Sequence, residues 1–115
     1  MKFISIVSPE KIDIIQLDNL LYCKSDRKLT HFFDVNQQQY TATKYMGEFE
    51  TELLTNGFYR IHHSYIVNLK YLKRIVSKNA PFVELFTDII LPISKRKYLG
   101  FRQHLGIKKT KPAAA

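Results

Sequence analysis

A short polar cluster, His62-His63-Ser64, separates two apolar runs in the stretch FYRIHHSYIVNL. Side chains of these types could serve nucleophilic or nuclease chemistry, or they could exchange hydrogen bonds with a ligand. Adjacent residues on one chain rarely point at the same atom, and the C-terminal half offers only Glu84 and Asp88 to orient a base or hold a metal. We therefore expect an exposed binding loop rather than an enzyme.

A second cluster of functional side chains is cationic. Lys95-Arg96-Lys97 follows Ser94, a candidate N-cap, so the three cations would lie in the first turn of a helix. That end of a helix carries partial positive charge and favours anions, so the triplet is locally unfavourable unless a phosphate lies nearby. The placement favours a phosphate-bearing ligand over chance.

The net charge of +8 is concentrated in one half of the chain. Residues 1–57 hold 6 Lys and Arg against 8 Asp and Glu, whereas residues 58–115 hold 12 against 2. This asymmetry within one small domain indicates a basic functional surface, for which nucleic acid is the first partner to consider. On charge alone, a lysine-rich face that only keeps the protein soluble explains the balance equally well.

Length and composition fit one compact domain. The 115 residues are 45% hydrophobic, and the single Cys23 can form neither an internal disulfide nor a zinc site. No apolar run approaches the roughly 20 residues that span a bilayer, and Ser8-Pro9 interrupts any secretory signal, so we expect a cytoplasmic protein without membrane contact. No phosphate-binding glycine loop, zinc spacing or flavin motif occurs, so no metal or cofactor is expected. Residues 1–107 form the expected domain, and the basic, Ala-rich residues 108–115 are expected to be disordered or left from cloning.

The elements that must position these clusters are mostly strands. Short runs rich in Ile, Val, Phe, Tyr and Thr follow a period of two between turn signals, which predicts stacked hairpins. Ten strands are predicted, at 2–7, 11–15, 20–24, 28–33, 37–42, 58–61, 65–68, 73–77, 82–86 and 89–93. Helical spacing of apolar residues predicts one helix over 44–54, with Thr43 as N-cap, and another from Ser94 to about Leu105.

The two predicted helices differ in charge. The first carries Glu48, Glu50 and Glu52, which phosphate would repel, so it is a poor candidate for insertion into a DNA groove. The second begins with the cationic triplet.

Four motifs occur in an order and at a spacing typical of one family. They are DNLLYCKSDRKL at 18–29, a short helix ending in ELL at 52–54, RIHHSYIVNL at 60–69 and LPISKRKY at 91–98. Through them the chain resembles, over residues 4–105, the LytTR-type DNA-binding domains at the C-terminus of bacterial response regulators. The resemblance implies a mainly β fold, an elongated assembly of small antiparallel sheets with one or two short helices.

The resemblance also implies transcription regulation by sequence-specific binding to double-stranded DNA. Loops rather than an inserted helix would enter successive major grooves of a promoter, with two copies, as a homodimer on DNA, occupying a direct repeat. A response regulator carries a receiver or sensor domain upstream. Whether this chain is an excised effector domain or a stand-alone regulator stays open.

Carried over residue by residue, the family's base-contacting positions fall at Lys28 in the first hairpin, His63 in the central loop and Lys95 after the last strand. Lysine can donate to guanine O6 and N7, and His63 can donate or accept, depending on its tautomer. Family members often have Arg at the position of Lys95, so guanine reading could pass to Arg96, and Arg27 could exchange roles with Lys28.

A second group of side chains is assigned to the DNA backbone, where contacts set the register without choosing the sequence. Its members are Arg27, Arg60, His62, Ser64, Asn68, Lys70, Lys73, Arg74 and Lys97, with Arg102 as a further candidate. The alternatives are ordinary surface cations for the Lys and Arg residues, a strand-bracing role for Asn68 and a packed loop residue for His62. His31 and His104 are expected to be incidental.

The alternative function is that of a basic, β-rich RNA-binding module. Tyr59, Tyr65 or Phe82 could stack on unpaired bases if their rings were exposed. These aromatic residues alternate with core positions, which favours their burial and keeps duplex DNA as the preferred partner.

Overall fold

The computed structural model describes residues 2–107, and within that range it contains ten strands and two α-helices. The strands are β1 (Phe3–Val7), β2 (Ile12–Gln16), β3 (Leu20–Asp26), β4 (Leu29–Asp34), β5 (Gln39–Ala42), β6 (Phe58–His62), β7 (Tyr65–Asn68), β8 (Leu72–Val76), β9 (Phe82–Leu85) and β10 (Ile90–Pro92). The helices are α1 (Gly47–Leu54) and α2 (Lys95–His104), and short 3₁₀ turns cover Leu17–Asn19 and Leu69–Tyr71. Every predicted strand is present, whereas the predicted tail at 108–115 lies outside the described residues.

The strands form three antiparallel sheets. β1 and β2 make a hairpin, β3 to β7 make a five-stranded sheet in the order β5-β4-β3-β7-β6, and β8 to β10 make a three-stranded sheet in the order β10-β9-β8. The molecule measures 60 × 25 × 23 Å. Its radius of gyration of 15.3 Å exceeds the roughly 13 Å of a compact domain of this size. The elongated, mainly β architecture implied by the resemblance is therefore confirmed.

The five-stranded sheet is buried on both faces. One face packs against the β1–β2 hairpin and α1 in a first core that includes Ile4 and Leu53. The other face packs against the three-stranded sheet and α2 in a second core that includes Val83 and Phe101. Strands with two buried faces are rigid supports for the turns that join them.

Two β-bulges decide which side chains enter the second core. The register of β3 shifts between Leu20 and Tyr22, and the register of β6 shifts between Arg60 and His62. The residue inside each bulge, Leu21 or Ile61, is buried in the second core. Because a bulge adds one residue to one strand and turns the following side chains, the bulge in β6 sets the direction in which the polar cluster 62–64 leaves the sheet.

Helix α1 begins later than predicted, and the expected N-cap is wrong. The N-cap position belongs to Met46, whose buried side chain makes no capping hydrogen bond. The segment that contains Thr43 is tied to the sheet instead, because Thr30 Oγ1 donates to the carbonyl of Lys44 at 2.7 Å. A contact between distant segments therefore overrides the local capping signal.

Helix α2 begins where the sequence predicts. Ser94 is its N-cap, and the Ser94 Oγ accepts a hydrogen bond from the amide of Lys97 at 3.2 Å. Phe101 is fully buried, and its ring centroid lies 5.0 Å from that of Tyr59 on β6. This aromatic contact fixes α2 against the edge strand of the central sheet.

Phe101→Ala should lower the free energy of unfolding by about 3–5 kcal/mol, because it opens a cavity in the second core. Leu99, on the same helix, is 62% exposed, so Leu99→Ala should change stability by about 0.5 kcal/mol or less. Urea unfolding followed by circular dichroism measures both values. Equal losses for the two variants would mean that α2 does not pack through Phe101.

Candidate nucleic-acid interface

Strand pairing brings two hairpin turns to one end of the five-stranded sheet. Lys24 of β3 lies opposite Tyr65 of β7, and beyond that pair the amide of Ser25 donates to the carbonyl of Ser64 at 2.9 Å. The turn between β3 and β4 and the turn between β6 and β7 therefore lie side by side. We call this end of the molecule, formed by residues 26–28, 62–64 and 94–97, the loop end.

Helix α2 joins the loop end on the outer side of β6. The amide of Ser94 donates to the carbonyl of Ile61 at 2.9 Å, so the helix begins beside the last residues of β6. Because neighbouring strands lie about 4.8 Å apart, the two hairpins are roughly 10 Å apart, with the first turn of α2 beyond them. The order across the row is first hairpin, second hairpin, helix.

All four residues predicted to contact bases lie at the loop end. Lys28, His63, Lys95 and Arg96 are exposed. None of them forms an ion pair with another residue of the described range 2–107. Their polar groups are therefore available to a ligand, and the base contacts themselves stay a prediction.

A histidine supports the first hairpin. His31 Nε2 lies 3.1 Å from Asp26 Oδ2, and His31 Nδ1 lies 2.9 Å from Thr41 Oγ1 on β5. The residue that the sequence suggested to be incidental therefore holds the carboxylate beside the cationic tip. At that tip Arg27 has a φ of 59°, a left-handed conformation that costs a non-glycine residue about 1–2 kcal/mol.

The second hairpin turn carries two histidines with different surroundings. His63 is exposed. His62 is partly buried: its Nδ1 accepts a hydrogen bond from the amide of Ser64 at 3.1 Å, and its ring lies 5.7 Å from that of Tyr65. With Nδ1 as an acceptor, the neutral ring carries its proton on Nε2. His62 is thus the packed loop residue of the alternative interpretation, with one ring N–H left to donate.

The first turn of α2 presents backbone donors as well as cations. Ser94 satisfies the amide of Lys97, whereas the amides of Lys95 and Arg96 find no acceptor in the part of the chain that the structure describes. This turn contains no acidic residue. The arrangement suits an anion, because free amides and the helix dipole both add to the attraction of the side chains.

Arg60 is oriented inward, which disfavours its predicted contact with the DNA backbone. Its Nη1 forms an ion pair with Glu50 of α1, and its Nη2 donates to the carbonyl of His63 at 2.6 Å. Only 20% of the Arg60 side chain is exposed. The alternation of β6 turns this residue toward α1, which the sequence could not indicate without knowledge of where α1 packs.

Asn68 is bonded inside the protein, which also disfavours its predicted contact with the DNA backbone. The side chain is buried, and its Nδ2 donates to the carbonyls of Leu17 at 3.2 Å and Leu20 at 2.8 Å. Its Oδ1 accepts from the amide of Lys70 at 3.0 Å. The strand-bracing alternative is confirmed.

Three further predicted phosphate contacts lie away from the loop end. Lys70 follows the opposite end of β7, where its Nζ lies 3.9 Å from Asp18 Oδ1. On β8, Lys73 and Arg74 both pair with Glu84, at 3.4 and 3.5 Å. The structure therefore does not bring these cations together with the base-contacting candidates.

The remaining predicted phosphate contacts divide into two groups. Arg27, Ser64 and Lys97 lie at the loop end, with Ser64 and Lys97 partly buried. Arg102 lies in the last turn of α2, where the carbon of its guanidinium is 5.8 Å from the centre of the Tyr98 ring. Only the first group shares the location of the base-contacting candidates.

Two exposed cations that the sequence analysis did not select also approach the loop end. The carbonyl of Lys44 accepts from Thr30, near the tip of the first hairpin. Lys78 lies in the turn between β8 and β9, and the amide of Ile93 donates to Pro81 in that turn at 2.9 Å. No sequence signal could have found them, because each position depends on a hydrogen bond between distant segments.

The aromatic rings considered for base stacking are engaged inside the protein. Tyr59 packs against Phe101 and His104, with ring centroids 5.0 and 4.6 Å away. The ring of Tyr65 lies between those of His62 and Tyr22, and Phe82 is partly buried. These contacts disfavour the RNA-binding alternative.

Among residues 2–107, no group of three or more His, Cys, Asp or Glu side chains is arranged to hold a metal ion. Within the same range, no helix has the length and apolar character needed to cross a membrane. Burial raises the pKa of the Cys23 thiol, which keeps it protonated and part of the first core.

Comparison with known proteins decides the family. Residues 10–106 match the family model of the LytTr DNA-binding domain. The chain belongs to this family. DNA binding is thereby assigned to the domain whose loop end is described above.

The LytTr domain is similar to two curated regulators. It is 28% identical, over 103 residues, to the transcriptional regulatory protein YpdB of Escherichia coli and to that of Shigella flexneri. The match covers 87% of this chain and 42% of each relative, so the chain spans about two-fifths of the length of the curated relatives it matches.

A solved structure has the same fold. It is the LytTr DNA-binding domain of a Bacillus cereus protein assigned as a methyl-accepting/DNA response regulator. The two structures superpose with a TM-score of 0.79 at 21% identity, over 93% of this chain and 99% of that one. At this sequence identity, the similarity establishes the fold of this chain and no residue role.

In the LytTr domain, Asn68→Ala should lower the free energy of unfolding by about 2–3 kcal/mol, because it removes the buried hydrogen bonds to the carbonyls of Leu17 and Leu20 and the acceptor of the Lys70 amide. The salt dependence of DNA binding should stay the same. Urea unfolding and a salt titration of DNA affinity measure the two effects. If the slope of log affinity against log salt concentration became smaller by about one, Asn68 would be a phosphate contact.

Arg27→Gly should raise the free energy of unfolding by about 0.5–1 kcal/mol, because glycine adopts a positive φ without the Cβ penalty. DNA affinity should fall because a cation is lost from the loop end. Lys28→Gly is the matched control: the φ of Lys28 is not positive, so affinity should fall without a gain in stability. If Arg27→Gly unfolded at a lower temperature than the parent domain, the conclusion that the backbone at Arg27 is strained would be wrong.

Proposed function

We propose that this LytTr domain is the DNA-binding module of a bacterial transcription regulator and recognises a promoter sequence through its loop end. The observation that supports the proposal is the convergence of two hairpin turns and the first turn of α2 in one row, each with exposed polar side chains. A single docking event can therefore bring donors from all three segments to base edges. Helix α1, which is acidic and packed on the sheet, is unsuited to enter a groove.

Within this proposal, Lys28, His63, Lys95 and Arg96 read bases. Guanine offers O6 and N7 as acceptors in the major groove, and both lysines and Arg96 are donors. The planar fork of Arg96 can bond both atoms at once, whereas Lys95 offers a single charge, so Arg96 makes the more selective contact of α2. His63 adds a donor or an acceptor according to its tautomer.

The width of the row supports contact with more than one groove. The two hairpins lie roughly 10 Å apart and the first turn of α2 lies beyond them, so the row extends beyond one major groove, which is about 12 Å wide. From the resemblance to the family, we assign the outer segments, which carry Lys28 and Lys95, to successive major grooves, which lie about 34 Å apart along the duplex. Two copies of the domain would occupy a direct repeat of the site.

Phosphate contacts at the loop end would set the register of the domain on DNA. The side chains best located for them are those of Arg27, Ser64 and Lys97, together with the free Nε2–H of His62. The amides of Lys95 and Arg96 add two donors at the N-terminus of α2, where the helix dipole favours a phosphate.

We infer that this chain supplies the DNA-binding part of a longer regulator. The chain covers only 42% of the regulators that it resembles, so we assign residues 1–107 to the DNA-binding domain. A receiver or sensor domain upstream would control its access to DNA.

Selection of bound duplexes from a random pool should yield the preferred sequence and the repeat spacing. Fluorescence anisotropy then compares that duplex with a scrambled one between about 50 and 200 mM salt. The selected duplex should bind at least about a thousandfold more tightly. Equal affinity for the two duplexes at every salt concentration would reject sequence recognition.

Four alanine variants separate base contacts from phosphate contacts in the same assay. His63→Ala and Lys95→Ala should each reduce the preference for the selected duplex about 5- to 100-fold. Lys97→Ala should weaken both duplexes alike and reduce the salt slope by about one. Lys73→Ala, away from the loop end and paired with Glu84, controls for the loss of a lysine and should have little effect. A uniform effect of all four variants would contradict the division of roles.

A further inference from the structure

The guanidinium of Arg60 connects the acidic helix α1 with the base-reading turn. Its Nη1 is paired with Glu50, and its Nη2 donates to the carbonyl of His63 at 2.6 Å. The side chains of Arg60 and Glu50 are only 20% and 32% exposed, so the pair is partly shielded from solvent. Screening by salt is weaker for such a pair than for one in open solvent.

The turn that carries His63 depends on hydrogen bonds from side chains and from the neighbouring hairpin. Two-residue hairpin turns usually require a positive φ at one or both central residues, and neither His63 nor Ser64 has one. Three hydrogen bonds hold the turn instead. The amide of Ser64 donates to His62 Nδ1, the carbonyl of Ser64 accepts from Ser25, and the carbonyl of His63 accepts from Arg60.

Of these three bonds, the one from Arg60 acts on the residue that projects toward the ligand. It holds the carbonyl of His63 and therefore limits rotation of the peptide that carries the His63 side chain. Arg60 in turn is held in place by Glu50, because a flexible four-torsion side chain needs a second partner to keep one direction. The planar guanidinium fixes the directions of its two Nη donors relative to each other, whereas the ammonium of lysine is a compact charge with rotatable donors, which favours arginine at this position.

We propose that Glu50 and Arg60 are positioning residues for base recognition, acting through the His63 carbonyl. This inference rests on the proposed function, in which His63 reads a base. It gives an acidic residue of a DNA-binding domain a positive role in sequence discrimination, although its charge repels phosphate.

Glu50→Ala tests this role because electrostatics alone and positioning predict different changes in DNA binding. Simple electrostatics predicts that loss of a negative charge raises affinity for every duplex, by about twofold near the interface. Positioning predicts a second effect, a fall of about five- to tenfold in the ratio of affinities for the selected and the scrambled duplex. Anisotropy at one fixed salt concentration measures both affinities.

Glu52→Ala is the matched control. Glu52 lies on the same helix, is exposed, and forms no ion pair among the described residues. It should show the electrostatic gain alone, with the ratio unchanged. Arg60→Lys keeps the charge but loses the fork, so its ratio should fall as that of Glu50→Ala does.

A double-mutant cycle separates positioning from a general loss of structure. In a His63→Ala background, Glu50→Ala should cause no further fall in the ratio, because the side chain that it positions is gone. Amide hydrogen exchange should become faster at residues 63–65 in Glu50→Ala and stay unchanged in β8 and β9. A general destabilisation would raise exchange throughout the domain and lower the ratio in both backgrounds.

The outcomes distinguish this inference from the proposed function. If Glu50→Ala matches Glu52→Ala in its ratio while the parent domain discriminates between the duplexes, the positioning role is wrong and the proposed function stands. If Glu50→Ala lowers the ratio equally with and without His63, the effect does not pass through His63 and the inference is overturned. A parent domain without discrimination would overturn the proposed function itself.

Discussion

The pairing of β3 with β7 is the constraint on which the rest of the structure depends. It joins segments far apart in the sequence, and it alone places the tip of the first hairpin beside the polar turn of the second. A slip of one residue would exchange the faces of every side chain in the strand. The register is fixed because both faces are buried: Cys23 and Ile66 belong to the first core, whereas Tyr22 and Val67 pack in the second.

The third segment of the loop end depends on a bulge rather than on a strand pair. Ile61, the extra residue of the bulge in β6, is buried in the second core while its carbonyl accepts from the amide of Ser94. The same residue therefore anchors β6 to the core and fixes the start of α2. Further along α2, Phe101 packs on Tyr59 and completes the attachment of the helix to β6. The exposed cations at the beginning of α2 are therefore attached to a rigid element. A binding site that must keep its geometry requires such support.

The sequence was sufficient for local structure and for the family, and insufficient for contacts between distant segments. Period-two runs and turn residues located all ten strands, and Ser94 marked the start of α2, because these signals act within a few residues. Thr43 failed as an N-cap because Thr30, on another strand, holds the neighbouring carbonyl. For Arg60 the sequence offered only a phosphate contact or an ordinary surface cation, and for Asn68 a phosphate contact or a strand-bracing role. The packing of α1 and of the Leu17–Asn19 turn supplies the internal partners of both residues.

The same limitation explains why the net charge does not show where on the surface the unpaired positive charges are concentrated. Away from the loop end, cations such as Lys70, Lys73 and Arg74 have carboxylate partners within 4 Å, whereas Lys28 and Arg96 have none in the described range.

At about 0.15 M salt the Debye length is roughly 8 Å, so a phosphate near the surface responds mainly to the charges closest to it. Partial neutralisation elsewhere therefore makes the loop end the more attractive end of an elongated molecule. Glu50 is tolerated close to that pole because Arg60 neutralises it, and this pair converts a repulsive charge into support for the turn that carries His63.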